Sequence, residues 1–361
     1  MTDAYVVRRC AHPTPVPERD AILRDPGYGR FFTDHMAIAS WTADIGWHAR
    51  EIVALEPIPM HPAAAVLHYA EEIFEGLKAY RHADGSVWLF RPERNARRFD
   101  RSARRMALPP LGEQNFLASL DALIRTDEPW VPTHDSSHCL YVRPFMFATD
   151  PLLGVRPPQQ ATYTVIASPS APLFGSGVQP ITLWISAEYT RAAPGGTGAA
   201  KCGGNYAAGL AAQVEAHAHG CDQALYLDSA ERRWLEEAGT MNICLITSDR
   251  RLLTPSLGTI LDGVTRDTVL ALAPEHGLEP VECRISLDEL RAGCADGTIT
   301  EAFAVGTAAV VTPITGFRGD AIEFTVADGG PGTHALDLRE HILDIQFGLR
   351  PDTRGWLHRV V

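Results

Sequence analysis

The sequence has no apolar run long enough to cross a bilayer, and it has fewer basic than acidic residues. Its longest apolar stretch, residues 302–311, is far shorter than the roughly 20 residues that a membrane-spanning helix needs. Lysine and arginine number 32 against 44 aspartates and glutamates, and the net charge of −12 disfavours nucleic acid as a partner, because basic surfaces bind phosphate backbones. We therefore expect neither a membrane span nor a nucleic-acid-binding role.

Cysteines are few and scattered. Their number, seven, is odd, and no two of them form a Cys-x-x-Cys pair, which is typical of reduced thiols in a cytosol. Arg8 and Arg9 are followed by no apolar core and no small-residue cleavage site, so we expect no secretory signal. His134 and His138 lie in a loop without further ligand types, and we expect no metal site.

The sequence does contain enough apolar residues, 45% of 361, to fill the cores of two domains. Strand-like runs such as 86–90 alternate with helical patterns such as 206–219 and 265–276, which predicts a mixed α/β fold. Prolines and glycines accumulate between residues 168 and 179. We expect an N-terminal domain at 1–171, an interdomain loop at 172–178, and a larger C-terminal domain at 179–361 that carries Lys201.

Lys201 follows a glycine-rich segment that begins at Gly195 and resembles a phosphate-binding loop. That motif requires glycine immediately before the lysine and serine or threonine after it, whereas Ala200 and Cys202 occupy these positions. A lysine between small residues leaves room for a flat ring and could attack an aldehyde to form a Schiff base. It could equally be a solvated loop lysine.

Three further segments have the chemistry that pyridoxal phosphate requires. Glu236 and Glu237 precede a turn into an apolar strand, where a carboxylate could pair with a protonated pyridine nitrogen or simply be exposed. Residues 262–267 begin a helical pattern, which suits a phosphate or an ordinary helix cap. Residues 306–309 form a turn of small residues after a strand. Together these segments favour a pyridoxal-phosphate site.

Eight sequence blocks occur in one order over nearly the whole chain, and together they resemble the branched-chain amino acid aminotransferases, which are fold-type IV pyridoxal-phosphate enzymes. The blocks are Phe32–Met36, Leu67–Tyr69, Phe74–Tyr80, Tyr141–Pro144, Lys201–Tyr206, Glu237–Asn242, Gly263–Arg266 and Gly306–Ala308.

The resemblance implies a two-domain α/β fold of the α+β type, with pyridoxal 5'-phosphate in the interdomain cleft. It implies ping-pong transamination between leucine, isoleucine or valine and 2-oxoglutarate, as in branched-chain amino acid biosynthesis, by a cytoplasmic homodimer. A fold-type IV relative with another donor, or a lyase acting on an aminated chorismate, is an alternative. A non-catalytic cofactor-binding or phosphate-loop protein is another.

The resemblance also implies a role for individual residues. Lys201 matches the Schiff-base lysine and proton shuttle, Glu237 the partner of the pyridine nitrogen, and Tyr206 the phenol at the ring oxygen. The matches to the phosphate site are Arg98, Val264, Thr265 and Thr307. Those to the substrate site are Tyr141, Thr307 and Ala308 for the α-carboxylate, Tyr28, Tyr69 and Phe74 for the side chain, and Arg143 for the second carboxylate of glutamate.

Three departures from the family pattern stand out. Asp262 replaces a usual proline and brings negative charge to the predicted phosphate site, which is unfavourable unless its side chain caps the helix or points away. Leu173 occupies a loop position where an aromatic residue is common. Ala309 and Thr312 stand where animal members have a Cys-x-x-Cys redox pair, so we expect no such switch.

Overall fold

The structure, a computed structural model, describes residues 4–172 and 178–361 and divides into two compact units. The first unit comprises Met1–Leu173, Ala200–Gly203 and Ile345–Val361. The second comprises Phe174–Ala199 and Gly204–Asp344. Each unit has its own sheet, its own helices and its own core, so the predicted mixed α/β fold is confirmed.

The first unit is built on a mostly antiparallel sheet. Its strands are β1 (Val6–Val7), β2 (His35–Thr42), β3 (Gly46–Ala54), β4 (Glu72–Phe74), β5 (Leu77–Arg81), β6 (Val87–Phe90), β7 (Cys139–Ala148), β8 (Gln160–Ser170) and β18 (Leu357–Arg359). Its helices are α1 (Val16–Arg24), α2 (Ala65–Tyr69), α3 (Pro92–Arg105) and α4 (Glu113–Thr126). The strand order is β1-β3-β2-β8-β7-β5-β6-β18, and β4 also pairs with β7.

Strand β7 shows how the sequence forms this sheet. Leu140, Val142 and Met146 are fully buried, while Tyr141 and Arg143 between them are only half-buried. Because side chains alternate between the two faces of a strand, the apolar residues enter the core and the polar residues share the other face. Strand β7 therefore presents Tyr141 and Arg143 side by side.

The second unit contains the other sheet. Its strands are β9 (Ile181–Ile185), β10 (Gln223–Leu227), β11 (Leu235–Ala238), β12 (Met241–Thr247), β13 (Arg251–Pro255), β14 (Glu279–Cys283), β15 (Ile299–Gly306), β16 (Val310–Gly319) and β17 (Ile322–Thr325). Its helices are α5 (Gly203–Ala207), α6 (Leu210–Ala218), α7 (Val264–Leu272), α8 (Leu287–Asp296) and α9 (Thr333–Gln346); the first residue of α5 and the last two of α9 fall in the first unit.

Strand β12 is central in the second sheet, where the order is β11-β10-β9-β16-β15-β12-β13-β14. All seven of its residues are buried, as expected of a near-continuous apolar run that is covered on both faces. It forms a hairpin with β11, in which Glu237 lies opposite Asn242, and pairs with β15, in which Asn242 lies opposite Val305. This register brings the Glu237 turn and the Gly306 turn to one end of the sheet.

Two predicted helices are shorter than their sequence patterns, one because of a glycine and the other because of a proline. The pattern at 206–219 is interrupted before Gly209, whose carbonyl oxygen accepts a hydrogen bond of 3.2 Å from the Tyr226 hydroxyl. Glycine is also a poor helix former. The pattern at 265–276 continues as an α-helix only to Leu272 and then as a 3-10 turn, because Pro274 has no amide hydrogen to donate.

The compact units differ from the predicted domains 1–171 and 179–361 in two segments. Ala200–Gly203, with Lys201, belongs to the first unit because its backbone bonds to β4 and α3. Ile345–Val361 belongs there because β18 pairs with β6. Across residues 4–172 and 178–361, no helix is both long and apolar enough to span a membrane.

Candidate active site

Lys201 is fixed through its backbone in the first unit. Its carbonyl oxygen accepts a hydrogen bond of 2.9 Å from the amide of Phe74, at the end of β4. Its amide donates to the Ser102 hydroxyl on α3, also at 2.9 Å. The half-buried side chain places Nζ 4.8 Å from the centroid of the Phe74 ring. The backbone is thus held on both sides while the amine lies against an aromatic face.

Arg98 is the buried arginine of α3, whereas the arginines at 97, 101, 104 and 105 are exposed. Its Nε and Nη2 donate to the two carboxylate oxygens of Glu75 at 2.7 and 2.8 Å. Asn95 donates to the same carboxylate at 2.8 Å. This bidentate geometry fixes the guanidinium in one orientation.

Glu75 is a site residue that the sequence analysis missed, although it lies in the Phe74–Tyr80 block. It is fully buried, and burial alone would raise the pKa of its carboxyl. The charge of Arg98, its hydrogen bonds and the charge of Lys201 outweigh burial and lower the pKa below its usual value. The signal for Glu75 was an acid between Phe74 and Gly76 in a block that the resemblance had already singled out.

Four of the residues predicted to bind substrate lie together in the first unit. The Arg143 guanidinium lies 5.0 Å from the Phe74 ring centroid and donates to the Tyr141 hydroxyl at 3.2 Å. The rings of Tyr141 and Tyr28 are 5.6 Å apart, and burial raises the pKa of Tyr28. A Cβ at Gly76 would lie 2.0 Å from the Tyr141 hydroxyl oxygen, so this approach requires glycine.

Tyr69 is the fifth predicted substrate-binding residue of the first unit. It ends the short helix α2 and is 36% exposed, and its hydroxyl donates to the carbonyl oxygen of Leu153 in the loop between β7 and β8. The structure thus joins Tyr69 to an exposed loop.

Glu237 lies in the second unit and is buried in a network of donors. Its Oε1 accepts hydrogen bonds from Asn242 Nδ2 at 2.9 Å and from the amide of Leu261 at 3.3 Å. Its Oε2 lies 2.5 Å from Nε of Arg191, which is also buried. Such a set of donors favours the ionised carboxylate.

The neighbouring acid, Glu236, has a different environment because alternation along β11 sends it to the opposite face. Its Oε1 accepts from the Thr259 hydroxyl at 2.5 Å, and burial raises the pKa of its carboxyl. Of the two adjacent acids, Glu237 has the surroundings of a charged group.

Tyr206 lines a cavity of about 320 Å³ in the second unit. Its wall is formed by Arg191, Asn205, Tyr206, Gly209, Leu210, Gln213, His217, Gln223, Tyr226, Gly239 and Thr240. Arg191, which pairs with Glu237, and Tyr206 thus line the same cavity.

The start of α7 adjoins the Glu237 network. A Cβ at Gly263 would lie 2.0 Å from Asn242 Oδ1, so only glycine permits this contact. Gly263 is also the N-cap of α7, and it has no side chain to accept the first-turn amides of Val264 and Thr265. Two residues beyond Val305, Thr307 lies in the turn at the same end of the sheet. Ala308 is the next residue of that turn.

The residues in the two units fit pyridoxal 5'-phosphate by their chemistry. The second unit supplies a carboxylate for a pyridine nitrogen, a phenol, and a helix start with a glycine cap that suits a phosphate. The first unit supplies an amine and a buried guanidinium. Asp262 is half-buried immediately before Gly263, and Leu173 lies outside the described residues.

Comparison with known proteins gives a family. The profile of the family described as amino-transferase class IV matches residues 72–317. A probable branched-chain-amino-acid aminotransferase from Streptomyces coelicolor is 48% identical over 358 residues, covering 99% of each chain. A branched-chain-amino-acid aminotransferase from Mycobacterium tuberculosis is 49% identical over 360 residues, covering 99% of this chain and 98% of its own.

Solved structures agree with the sequence relatives. A branched-chain amino acid aminotransferase from Escherichia coli matches with a TM-score of 0.76 and 27% identity, covering 91% of this chain and 99% of its own. One from T.th., complexed with N-(5'-phosphopyridoxyl)-L-glutamate, matches with a TM-score of 0.72 and 28% identity, covering 90% and 99%. The resemblance read from the eight blocks is confirmed at the level of the family.

Proposed function

The chain belongs to the branched-chain-amino-acid aminotransferases of amino-transferase class IV, and from this premise we propose that it transfers the amino group of leucine, isoleucine or valine to 2-oxoglutarate. The products are the branched-chain 2-oxo acids and L-glutamate, formed in two half-reactions on one site. The observation that carries the proposal is the sequence similarity to branched-chain-amino-acid aminotransferases, which extends over 98–99% of the length of these relatives.

The cofactor of this reaction is pyridoxal 5'-phosphate, whose ring, when bound, accepts electron density from the substrate Cα. The residues that would hold it are Lys201, Arg98, Tyr206, Glu237, Val264, Thr265 and Thr307. The ionised state of Glu237, favoured by two hydrogen bonds to Oε1 and by the cation beside Oε2, suits a protonated pyridine nitrogen.

Lys201 is the proposed proton carrier. With the cofactor bound, the Lys201 amine would take the proton from the substrate Cα and pass it to the cofactor. Hydrogen bonds from Phe74 and to Ser102 fix the backbone of Lys201, so the amine moves by side-chain rotation alone. The Phe74 ring on one side of Nζ limits access of water to the amine.

The substrate is oriented by both carboxylate- and side-chain-binding groups. We assign the α-carboxylate to the amides of Thr307 and Ala308 and to the Tyr141 hydroxyl. The alkyl group is assigned to Tyr28, Tyr69 and Phe74. The guanidinium of Arg143, which already contacts Tyr141 and Phe74, is assigned to the second carboxylate of glutamate.

A homodimer in the cytoplasm is the proposed working form. Leu152, Leu153 and Val155 form an exposed apolar loop, and Val155 is 78% exposed. Covering such a loop with a second copy would remove apolar surface from water. All seven cysteines are free thiols, which is typical of a reducing compartment.

Replacement of Lys201 by alanine tests the proposal. We expect Lys201→Ala to lose transamination by on the order of 10³-fold or more, because both the amine and the proton carrier are removed. The measurement is glutamate formed from 2-oxoglutarate with each amino acid as donor, with circular dichroism to confirm folding.

A wild-type enzyme that forms no glutamate from any branched-chain donor would contradict the substrate assignment. Release of pyruvate from an aminated chorismate would instead identify the lyase. Multiple-turnover activity retained by Lys201→Ala would show that another group carries the proton.

A further inference from the structure

Arg191 is a buried arginine to which the sequence analysis gave no role. Its side chain is 5% exposed and lies in the loop after β9. Nε lies 2.5 Å from Glu237 Oε2, while Nη1 donates to the carbonyl oxygens of Gly198 and Thr259, both at 3.2 Å. The Arg191 guanidinium therefore connects Glu237 on β11 with Gly198 in the glycine-rich segment and Thr259 in the loop before α7.

The donors around Glu237 fix the orientation of its carboxylate. Asn242 and the Leu261 amide bond to Oε1, and Arg191 lies against Oε2. Because Oε1 accepts two hydrogen bonds and Oε2 lies 2.5 Å from a cation, rotation of the carboxylate would break these contacts. An ionised carboxylate has about four lone-pair positions, two on each oxygen, so it can accept from several donors at once.

Charge makes Arg191 more than a geometric support. A buried carboxylate without a cation takes up a proton, because burial disfavours the charged form. Two other titratable groups close to it in the described part of the chain supply no positive charge: Tyr226 on β10 and Glu236 on the opposite face of β11 both have a pKa raised by burial. Arg191 therefore supplies positive charge directly at the Glu237 carboxylate.

We propose that Arg191 is a positioning residue that keeps Glu237 ionised and holds its carboxylate in one orientation for the pyridine nitrogen of the cofactor. The inference rests on the proposed function, since the pyridine ring is that of the proposed cofactor. The pairing with Glu237 is a property of the chain itself.

The first test compares Arg191→Met with Arg191→Lys in the enzyme with its cofactor bound. We expect Arg191→Met to lower kcat by about 10- to 100-fold, as loss of outer-shell partners commonly does. The acid limb of its pH profile should move to higher pH, because Glu237 then ionises later. Arg191→Lys keeps the charge and should restore the acid limb while recovering only part of kcat.

The second test needs no activity and uses the full chain with the cofactor removed. In Arg191→Met we expect the pKa of Glu237 in the folded state to lie above its value in the unfolded chain. Raising the pH then destabilises the folded state, because the unfolded chain releases the Glu237 proton more readily. The deficit in melting temperature relative to wild type should therefore grow as pH rises from the ordinary glutamate pKa of about 4.3 toward neutral pH. Adding Glu237→Gln should abolish this growth, because no carboxyl remains to titrate.

Arg232→Met is the matched control. Arg232 donates to the carbonyl oxygens of Ala187 and Glu188 in the same loop, at 2.9 and 3.0 Å, and does not pair with Glu237. Arg232→Met should loosen the loop after β9 but leave the pH dependence of kcat unchanged.

Three outcomes would overturn the inference: an unchanged acid limb in Arg191→Met, an equal shift in Arg232→Met, or a stability deficit that is constant with pH. If Arg191→Met does not fold, Arg191→Gln with and without Glu237→Gln gives the same comparison, because glutamine also removes the positive charge. If wild type transfers no amino group, the proposed function fails, while the cofactor-free measurement still decides the Arg191–Glu237 pairing.

Discussion

At the scale of single residues, Arg143 shows how one pocket could accept both an alkyl side chain and a carboxylate. Its guanidinium lies against the Phe74 and Tyr141 rings, at 5.0 and 5.3 Å from their centroids, and donates to the Tyr141 hydroxyl. Arginine stacks on aromatic faces, and its planar fork matches the geometry of a carboxylate. The aromatic rings would remain available to leucine.

Arg143→Met should weaken the 2-oxoglutarate half-reaction by about 100-fold or more, from the 2–5 kcal/mol typical of truncating a buried charge pair. The leucine half-reaction should change little, because methionine keeps the apolar contact. Single-turnover measurement gives the rate of each half-reaction separately and so shows whether only the 2-oxoglutarate half-reaction is slowed. Equal losses with both substrates would exclude a role at the second carboxylate of glutamate.

At the scale of elements, His358 joins β18 to two helices of the first unit. Its Nε2 lies 2.9 Å from Asp121 Oδ1 on α4, and its Nδ1 lies 3.8 Å from Glu93 on α3. The hydrogen bond to Asp121 raises the pKa of the imidazole above its usual value. A raised pKa means that the folded state binds the proton more tightly than the unfolded chain does.

The contribution of His358 to stability is therefore fully present below the unfolded pKa of about 6.5 and is lost as pH rises through the folded value. His358→Gln should cost about 1 kcal/mol or less at acid pH, as for partly exposed ion pairs, and nearly nothing at alkaline pH. Urea unfolding at about pH 5.5 and 8.5 measures this difference, with exposed His12→Gln as the control. A deficit equal at both pH values would attribute the effect to packing of the ring.

Local patterns predicted the elements better than they predicted the partners of the site residues. Alternation along β7 placed Tyr141 and Arg143 on one face. The pairs Glu75–Arg98 and Arg191–Glu237 join segments far apart in sequence, and nothing in their spacing marks them. The resemblance named Arg98 and Glu237, but only tertiary packing revealed the charges that hold them.

At the scale of the whole molecule, the loop between β7 and β8 is the feature that bears on assembly. Asp150 is buried and accepts hydrogen bonds from the amides of Gln159 and Gln160 at 3.0 and 2.9 Å, which closes the base of the loop. Leu153 and Val155 near its tip are 65% and 78% exposed. An anchored base with an apolar tip is typical of a surface that a second chain covers.

The double change Leu153→Asp with Val155→Asp should convert the proposed dimer to monomer, because two charges would have to be buried in the interface. Sedimentation velocity of the wild type and the variant measures the mass directly. Leu349→Asp, at another exposed apolar residue, is the control and should leave the mass unchanged. Dissociation by Leu349→Asp alone would place the interface elsewhere.

The edge strand β18 also has a consequence for synthesis on the ribosome. The first unit needs Ala200–Gly203 and Ile345–Val361, which are translated after its other residues, and the later of these segments follows the whole second unit. One edge of strand β6 therefore stays unpaired until β18 has been synthesised. Unpaired strand edges are prone to intermolecular pairing. The nascent chain would complete its second unit before its first, in the reverse of their order along the sequence.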